Sequence, residues 1–157
     1  MSRYRVLCAW LLGVLPAACT SGDIPGPARS LAASGLAHAA ATRACGPTDG
    51  PAVAIYLASA PVESLEPAAP YLRIYVWQPL DRLAGRSWIL AGGEPEGSAW
   101  LHSSATEYEV AARGAVTVNR VAPDGTVEGS ADLTFRSAGR VRGGYRAVWV
   151  PQAVLCG

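Results

Sequence analysis

From Thr126 to Arg136 every odd position is small or apolar (Val127, Gly129, Ala131, Leu133, Phe135), and every even position is Thr, Glu, Ser, Asp or Arg. Successive side chains leave a strand on opposite faces, so strict alternation defines a strand with one dry side. The following run, Val141 to Val150, repeats the pattern with Val141, Gly143, Tyr145, Ala147 and Trp149. Ser137-Ala138-Gly139 between them reads as a three-residue hairpin loop with Gly where a positive φ is needed. Pairing Arg136 with Arg140 sets Phe135 opposite Val141, Leu133 opposite Gly143 and Ala131 opposite Tyr145. Upstream, Ala122-Pro123-Asp124-Gly125 reads as a type I turn. A simple register across it would leave Val116 and Val118 on the polar side, which predicts a β-bulge near Asn119 and Arg120.

The rest of the chain agrees in character. Short apolar runs, AVAIYLAS from Ala52, YLRIYVWQ from Tyr71, SWILA from Ser87, SAWLHS from Ser98 and TEYEVAAR from Thr106, alternate with Pro and Gly clusters. Seventeen Gly and 12 Pro in 157 residues favour strands and turns over long helices. The expected fold is all-β: an antiparallel sandwich or small barrel-like meander of about seven to eight strands in one domain, 45–157. Residues 20–44, rich in Ala, Ser, Gly and Pro, read as a flexible or partly helical tether, because alanine propensity alone makes only a marginal helix.

The N-terminus has the three-part form of an export signal. Arg3 and Arg5 precede the uncharged run VLCAWLLGVL, and Pro16-Ala17-Ala18 follows. Crossing the hydrocarbon takes about 20 apolar residues, and this run is about half of that. The segment Leu15-Pro16-Ala17-Ala18-Cys19 resembles the signal of bacterial lipoproteins, which implies cleavage after residue 18, diacylglycerol on the Cys19 thiol and a mature chain of a tether (19–44) and one domain. In a Gram-negative host the absence of Asp directly after Cys19 implies the outer membrane. The segments GAVTVNRVAPDGTVEGSADLTF and AGRVRGGYRAVWVPQAVLCG resemble a diffuse set of uncharacterised bacterial lipoproteins ending in a Gly-punctuated β meander and a terminal Cys. That resemblance implies a fold type and no activity.

Of four cysteines, Cys8 leaves with the leader and Cys19 takes the lipid. Cys45 and Cys156 remain, and an oxidising compartment makes a bond between them the expectation, closing a loop of about 110 residues. The alternative is a pair of reactive or metal-binding thiols, although no CxxC occurs and neither Cys has a neighbouring His.

Composition narrows the chemistry. All 13 basic residues are Arg, so Schiff-base, pyridoxal phosphate and P-loop lysine chemistries are excluded. Without Arg3 and Arg5, 11 Arg face 12 acids, a net charge near −1 that gives no general attraction to nucleic acid. His102 is the single His of the domain, too few for a zinc site beside bridged cysteines. Ser103 and Ser104 lie beside it in sequence, and no GxSxG occurs. Carboxylates at Glu94, Glu96, Glu107 and Glu109 have no specific spacing for glycoside chemistry or Ca²⁺. Arg136, Arg140, Arg142 and Arg146 project from the polar side of the last hairpin as a possible anion-binding set, with Asp132 and Glu128 positioned to neutralise part of it. Tyr71, Tyr75, Trp77, Trp88 and Trp100 form either a core or a platform for a glycan or partner.

The expectation is therefore a membrane-tethered binding or accessory module of the cell envelope, non-catalytic and without cofactor or metal, its lipid holding the membrane and an envelope protein or glycan as its partner. Two alternatives stand beside it: a small envelope hydrolase using His102 or Glu107 and Glu109, and an inhibitor or partner-binding subunit.

Overall fold

The computed structural model describes residues 27–63, 67–91 and 95–156. The segment read as an export signal, Cys19 and Glu94 lie outside the described residues. Among the described residues, ten strands form one sheet: β1 (Arg29–Ser30), β2 (His38–Cys45), β3 (Pro51–Ala58), β4 (Tyr71–Val76), β5 (Arg86–Ile89), β6 (Gly97–His102), β7 (Tyr108–Val110), β8 (Arg113–Val121), β9 (Val127–Phe135) and β10 (Gly139–Trp149). The order is β5-β8-β9-β10-β2-β3-β4-β6-β7, with β1 also beside β10. The sheet curls into a half-barrel, which meets the all-β, barrel-like expectation. It is mixed rather than purely antiparallel, because β1 and β2 both run parallel to β10.

The inner face carries the core: Val53, Ile55 and Leu57 of β3, Leu72, Ile74 and Val76 of β4, and Val127, Leu133 and Phe135 of β9 are all buried. The bulge falls between Val118 and Arg120, as the sequence requires, and it returns Val116 and Val118 to the core. The turn at 122–125 closes with Gly125 N–H donating to the Ala122 carbonyl at 2.9 Å, and the Asp124 carboxylate accepts the Thr126 N–H at 2.9 Å. Residues 52 to 58 of β3 are buried on both sides. Its outer residues Ala54, Tyr56 and Ala58 pack with Tyr71, and Val62 and Ala69 of the following connection lie against them.

Two expectations are corrected. The last hairpin is offset by two residues: Phe135 pairs with Gly139, Leu133 with Val141, Ala131 with Gly143 and Gly129 with Tyr145. Gly139, at φ 77°, opens β10 itself, so the loop is Arg136-Ser137-Ala138. A slip of two preserves side-chain parity, and the same residues still face inward.

The second correction concerns residues 27–44, which are not a free or partly helical tether. β1 and β2 are two pieces of one path along β10. Nine residues separate Ser30 from Ala40 where β10 uses five between Arg142 and Val148. The surplus forms a 3-10 turn over Ala32–Ser34, with Ser30 Oγ accepting the Ala33 N–H at 3.0 Å. This turn drives Leu31 and Leu36 into the core. Gly143 makes room, since a Cβ there would lie 3.1 Å from Leu31 Cγ. Alanine's helix preference is worth only tenths of a kcal/mol per residue, and pairing with both β3 and β10 overrides it.

Cys45 and Cys156 are disulfide-bonded, with Cα atoms 5.6 Å apart and a sequence separation of 111. The bridge ties the end of β2 to the C-terminal segment. Because Leu31 is a core residue, Leu31→Ala is expected to lower unfolding free energy by about 2–4 kcal/mol in urea titrations. A change near zero would show that this segment does not contribute to the core.

Candidate functional site

β6 sits between β4 and β7, pairing His102 with Tyr71 on one side and Tyr108 on the other. All three therefore project from the outer face. The His102 ring stacks on Tyr71 with centroids 4.3 Å apart and an interplanar angle of 9°, and it meets Tyr108 at 5.5 Å. Glu109 is the next residue along β7, so its side chain leaves from the opposite face and reaches the β9–β10 loop. There its carboxylate accepts the Ser137 N–H at 2.9 Å and a short bond from the Ser137 hydroxyl. Burial alone would raise this carboxyl, but bonds from the Ser137 hydroxyl and from the backbone of Ser137, Arg136 and Ala138 hold it below its ordinary value of 4.5.

Glu107 is exposed in the β6–β7 loop. Ser104 Oγ accepts the Glu107 N–H at 3.1 Å, so this hydroxyl shapes a turn. His102 and Glu109 thus point to different sides of the sheet, and the groups named for a hydrolase are not gathered into one pocket. Among the described residues, no three of His, Cys, Asp and Glu are placed to hold a metal ion.

The arginine set is partly assembled. Asp132 takes a bidentate pair from Arg140 at 2.7 and 2.6 Å, with Arg142 at 3.7 Å. Glu128 takes Arg120 at 2.8 Å and Arg146 at 3.3 Å. Hydrogen bonds from Arg140 hold Asp132 below the usual carboxylate range, and those from Arg120 do the same for Glu128. Arg136 lies in the loop rather than on the strand. Each carboxylate serves two guanidiniums, making a cross-strand ion-pair ladder rather than a bare cationic patch. Exposed pairs of this kind contribute little to stability, because water and salt screen them.

The aromatic residues divide by parity. Trp88 enters the core, and Trp77 packs its Cβ beside Gly46. Tyr71, Tyr75 and Trp100 share the outer face of β4 and β6. Sequence reasoning missed Arg73, which stands between them: its guanidinium carbon lies 4.4 Å from the Trp100 ring centroid and 5.3 Å from that of Tyr75. Tyr75 and Trp100 meet edge to face at 5.6 Å, and Trp100 meets Tyr108 at 6.1 Å. Tyr56 backs the cluster, 6.3 Å from Tyr71, and burial followed by the neighbouring Tyr75 pushes its phenol well upward.

The cluster ends at the sheet edge in exposed side chains, Tyr108 at 62% and Val110 at 38%. The signal was present in the sequence as Tyr71, Arg73 and Tyr75 at alternate positions, matched by Trp100 and His102. It gained meaning only once β4 and β6 were adjacent.

Comparison with protein-family models, curated proteins and solved structures finds no match for this chain.

The Glu109 contacts yield a pH prediction. With its folded carboxyl below 4.5, the stabilisation is complete above that value and fades as pH falls through the lower, folded value. Glu109→Gln is expected to cost about 1 kcal/mol near neutral pH and clearly less at about pH 3, measured by denaturant unfolding. An equal cost at both values would assign the effect to packing.

Proposed function

We propose that the protein is an exported, lipid-tethered, non-catalytic module of the cell envelope that holds a partner protein against the outer face of β4, β6 and β7. The observation that carries this reading is Arg73 between Tyr75 and Trp100, continuing into exposed Tyr108. Trp, Tyr and Arg are the side chains in which binding hot spots are enriched. They combine large apolar area with a polar end, and here the ring contacts hold Arg73, Tyr75 and Trp100 against one another. A partner covering this face would remove water from the cation–π contacts, which strengthens them from about 0.5–1 to about 2 kcal/mol.

The disulfide supports the export part of the reading, because such bonds persist in oxidising compartments. A tether through Cys19 agrees with a domain that carries its ligand-binding residues on one outer surface, since two or three acyl chains anchor a protein without help from the fold.

Two measurements test the proposal. A photo-crosslinking phenylalanine analogue at Tyr108 of the full chain in cells is expected to capture one discrete partner, lost on Trp100→Ala, whereas the same probe at Ser130 on the arginine face captures none. Equal capture at both positions, or insensitivity to Trp100→Ala, would overturn the assigned face. Metabolic fatty-acid labelling is expected in the wild type and absent in Cys19→Ala; an unlabelled wild type would remove the tether.

A further inference from the structure

The far end of β2 brings an arginine to the side of the sheet that carries the core. Along β2, parity directs Ala39, Ala41, Arg43 and Cys45 to the inner face, opposite Leu57, Ile55, Val53 and Pro51 of β3. Ala41 is in the core and Ala39 packs against it, and the β3 residues opposite, Leu57, Ile55 and Val53, are buried. Arg43, near the end of the strand, is exposed, and its guanidinium makes no ion pair among the described residues.

Arg43 stands at the open end of the half-barrel, on a cavity of about 1000 Å³. The walls are mostly apolar, with Val53, Leu80, Val121 and Trp149 among them. This size and lining match small-molecule sites, which are concave, mainly apolar and equipped with few polar groups. Trp149 is held rigidly, because its side chain rests on the backbone of Gly125, where a Cβ would come within 2.7 Å of Trp149 Cγ.

The remaining wall is the C-terminal segment after β10. It is fastened at one end by Val150 N–H to the Ala41 carbonyl, at 2.8 Å, and at the other by the Cys45–Cys156 disulfide. Between these points no backbone hydrogen bond ties it to the barrel among the described residues. The bridge thus keeps a strap across the cavity without filling it. Gln152 on this strap lines the cavity.

We propose that this cavity binds a small amphiphile, an apolar chain with a single anionic head. The chain lies against Trp149, Val121 and Leu80, and the head pairs with Arg43. Asp81 on the cavity lining disfavours a ligand with several negative charges. The site lies at the open end of the half-barrel, and none of Tyr71, Arg73, Tyr75, Trp100 and Tyr108 lines it, so it stands or falls independently of the partner reading.

The test is a titration of the isotopically labelled full chain, disulfide intact, with sodium decanoate and separately with 1-decanol, followed by amide NMR. Decanoate is expected to shift the Trp149 indole N–H and the Gln152 side-chain amide. Arg43→Gln should weaken decanoate about tenfold, the loss of one charged contact, and leave 1-decanol unchanged. Val154→Trp, which fills the cavity from the strap, should abolish both; if its spectrum is not that of a folded chain, Ala153→Trp replaces it. Unmoved Trp149 and Gln152 signals, equal weakening of both ligands by Arg43→Gln, or undiminished binding in the folded filling variant would each overturn the site.

Discussion

Two residue pairs, Val148 with Ala40 and Trp149 with Ala41, join the halves of this sheet. On one side stand β5, β8, β9 and β10, and on the other β2, β3, β4, β6 and β7. Within each half most neighbours are antiparallel and near in sequence, but the β10–β2 seam brings together segments about a hundred residues apart. Loop closure over that distance must be met before the seam gives any return, so it is the contact most exposed to chain entropy. The structure reinforces it on both flanks: β1 and Leu31 lie along the earlier part of β10, and Val150 N–H and the Cys45–Cys156 bridge extend it beyond Trp149. In the chain-entropy account a bridge over a loop of this length contributes about 4–5 kcal/mol. That is a large fraction of a typical domain stability of about 5–15 kcal/mol.

The seam also separates two kinds of outer surface. The β8–β9–β10 side is covered by guanidiniums sharing Glu128 and Asp132, a well-solvated arrangement whose parts satisfy one another. The β4–β6–β7 side carries rings stacked around Arg73 and finishes at a short edge strand with Tyr108 exposed. Edge strands expose unpaired backbone groups and are usually protected by charge, proline or brevity. Here β7 has three residues, Tyr108–Val110, and Glu109 within it is drawn away to the β9–β10 loop. The edge is therefore short and pinned, yet its outward side chains are apolar, a combination suited to contact through side chains rather than strand addition.

Much of the fold was legible because alternation is a local property. The pattern from Thr126 to Trp149 fixes the faces, and the misplacement of Val116 and Val118 puts a bulge near Asn119 and Arg120, where the register shifts. The hairpin offset was not legible, because parity is indifferent to a slip of two, and only the φ of Gly139 decides between the registers. Nor was β2. Its HAAATRAC has no alternation, because Ala40, Ala41 and Thr42 at its centre are buried on both faces while His38 and Arg43 are exposed, and small side chains suffice where Tyr56 and Trp149 supply the bulk. The disulfide could be read by elimination among four cysteines. The aromatic face could not, because its residues come from three strands whose order the sequence does not state.

The alanines of β2 carry a final consequence. Ala40 lies opposite both Tyr56 and Val148, and Ala41 opposite both Ile55 and Trp149. Each is thus the smallest member of a row of three, at the place where the two halves meet. A larger residue here would press on β3 and β10 together, and a shift of β10 relative to β2 would displace Trp149 from its seat on Gly125. Strain in close-packed interiors is transmitted rather than absorbed. The seam that holds the halves together therefore also sets the shape of the cavity mouth, and the low complexity of this segment reflects tight packing rather than an absence of structure.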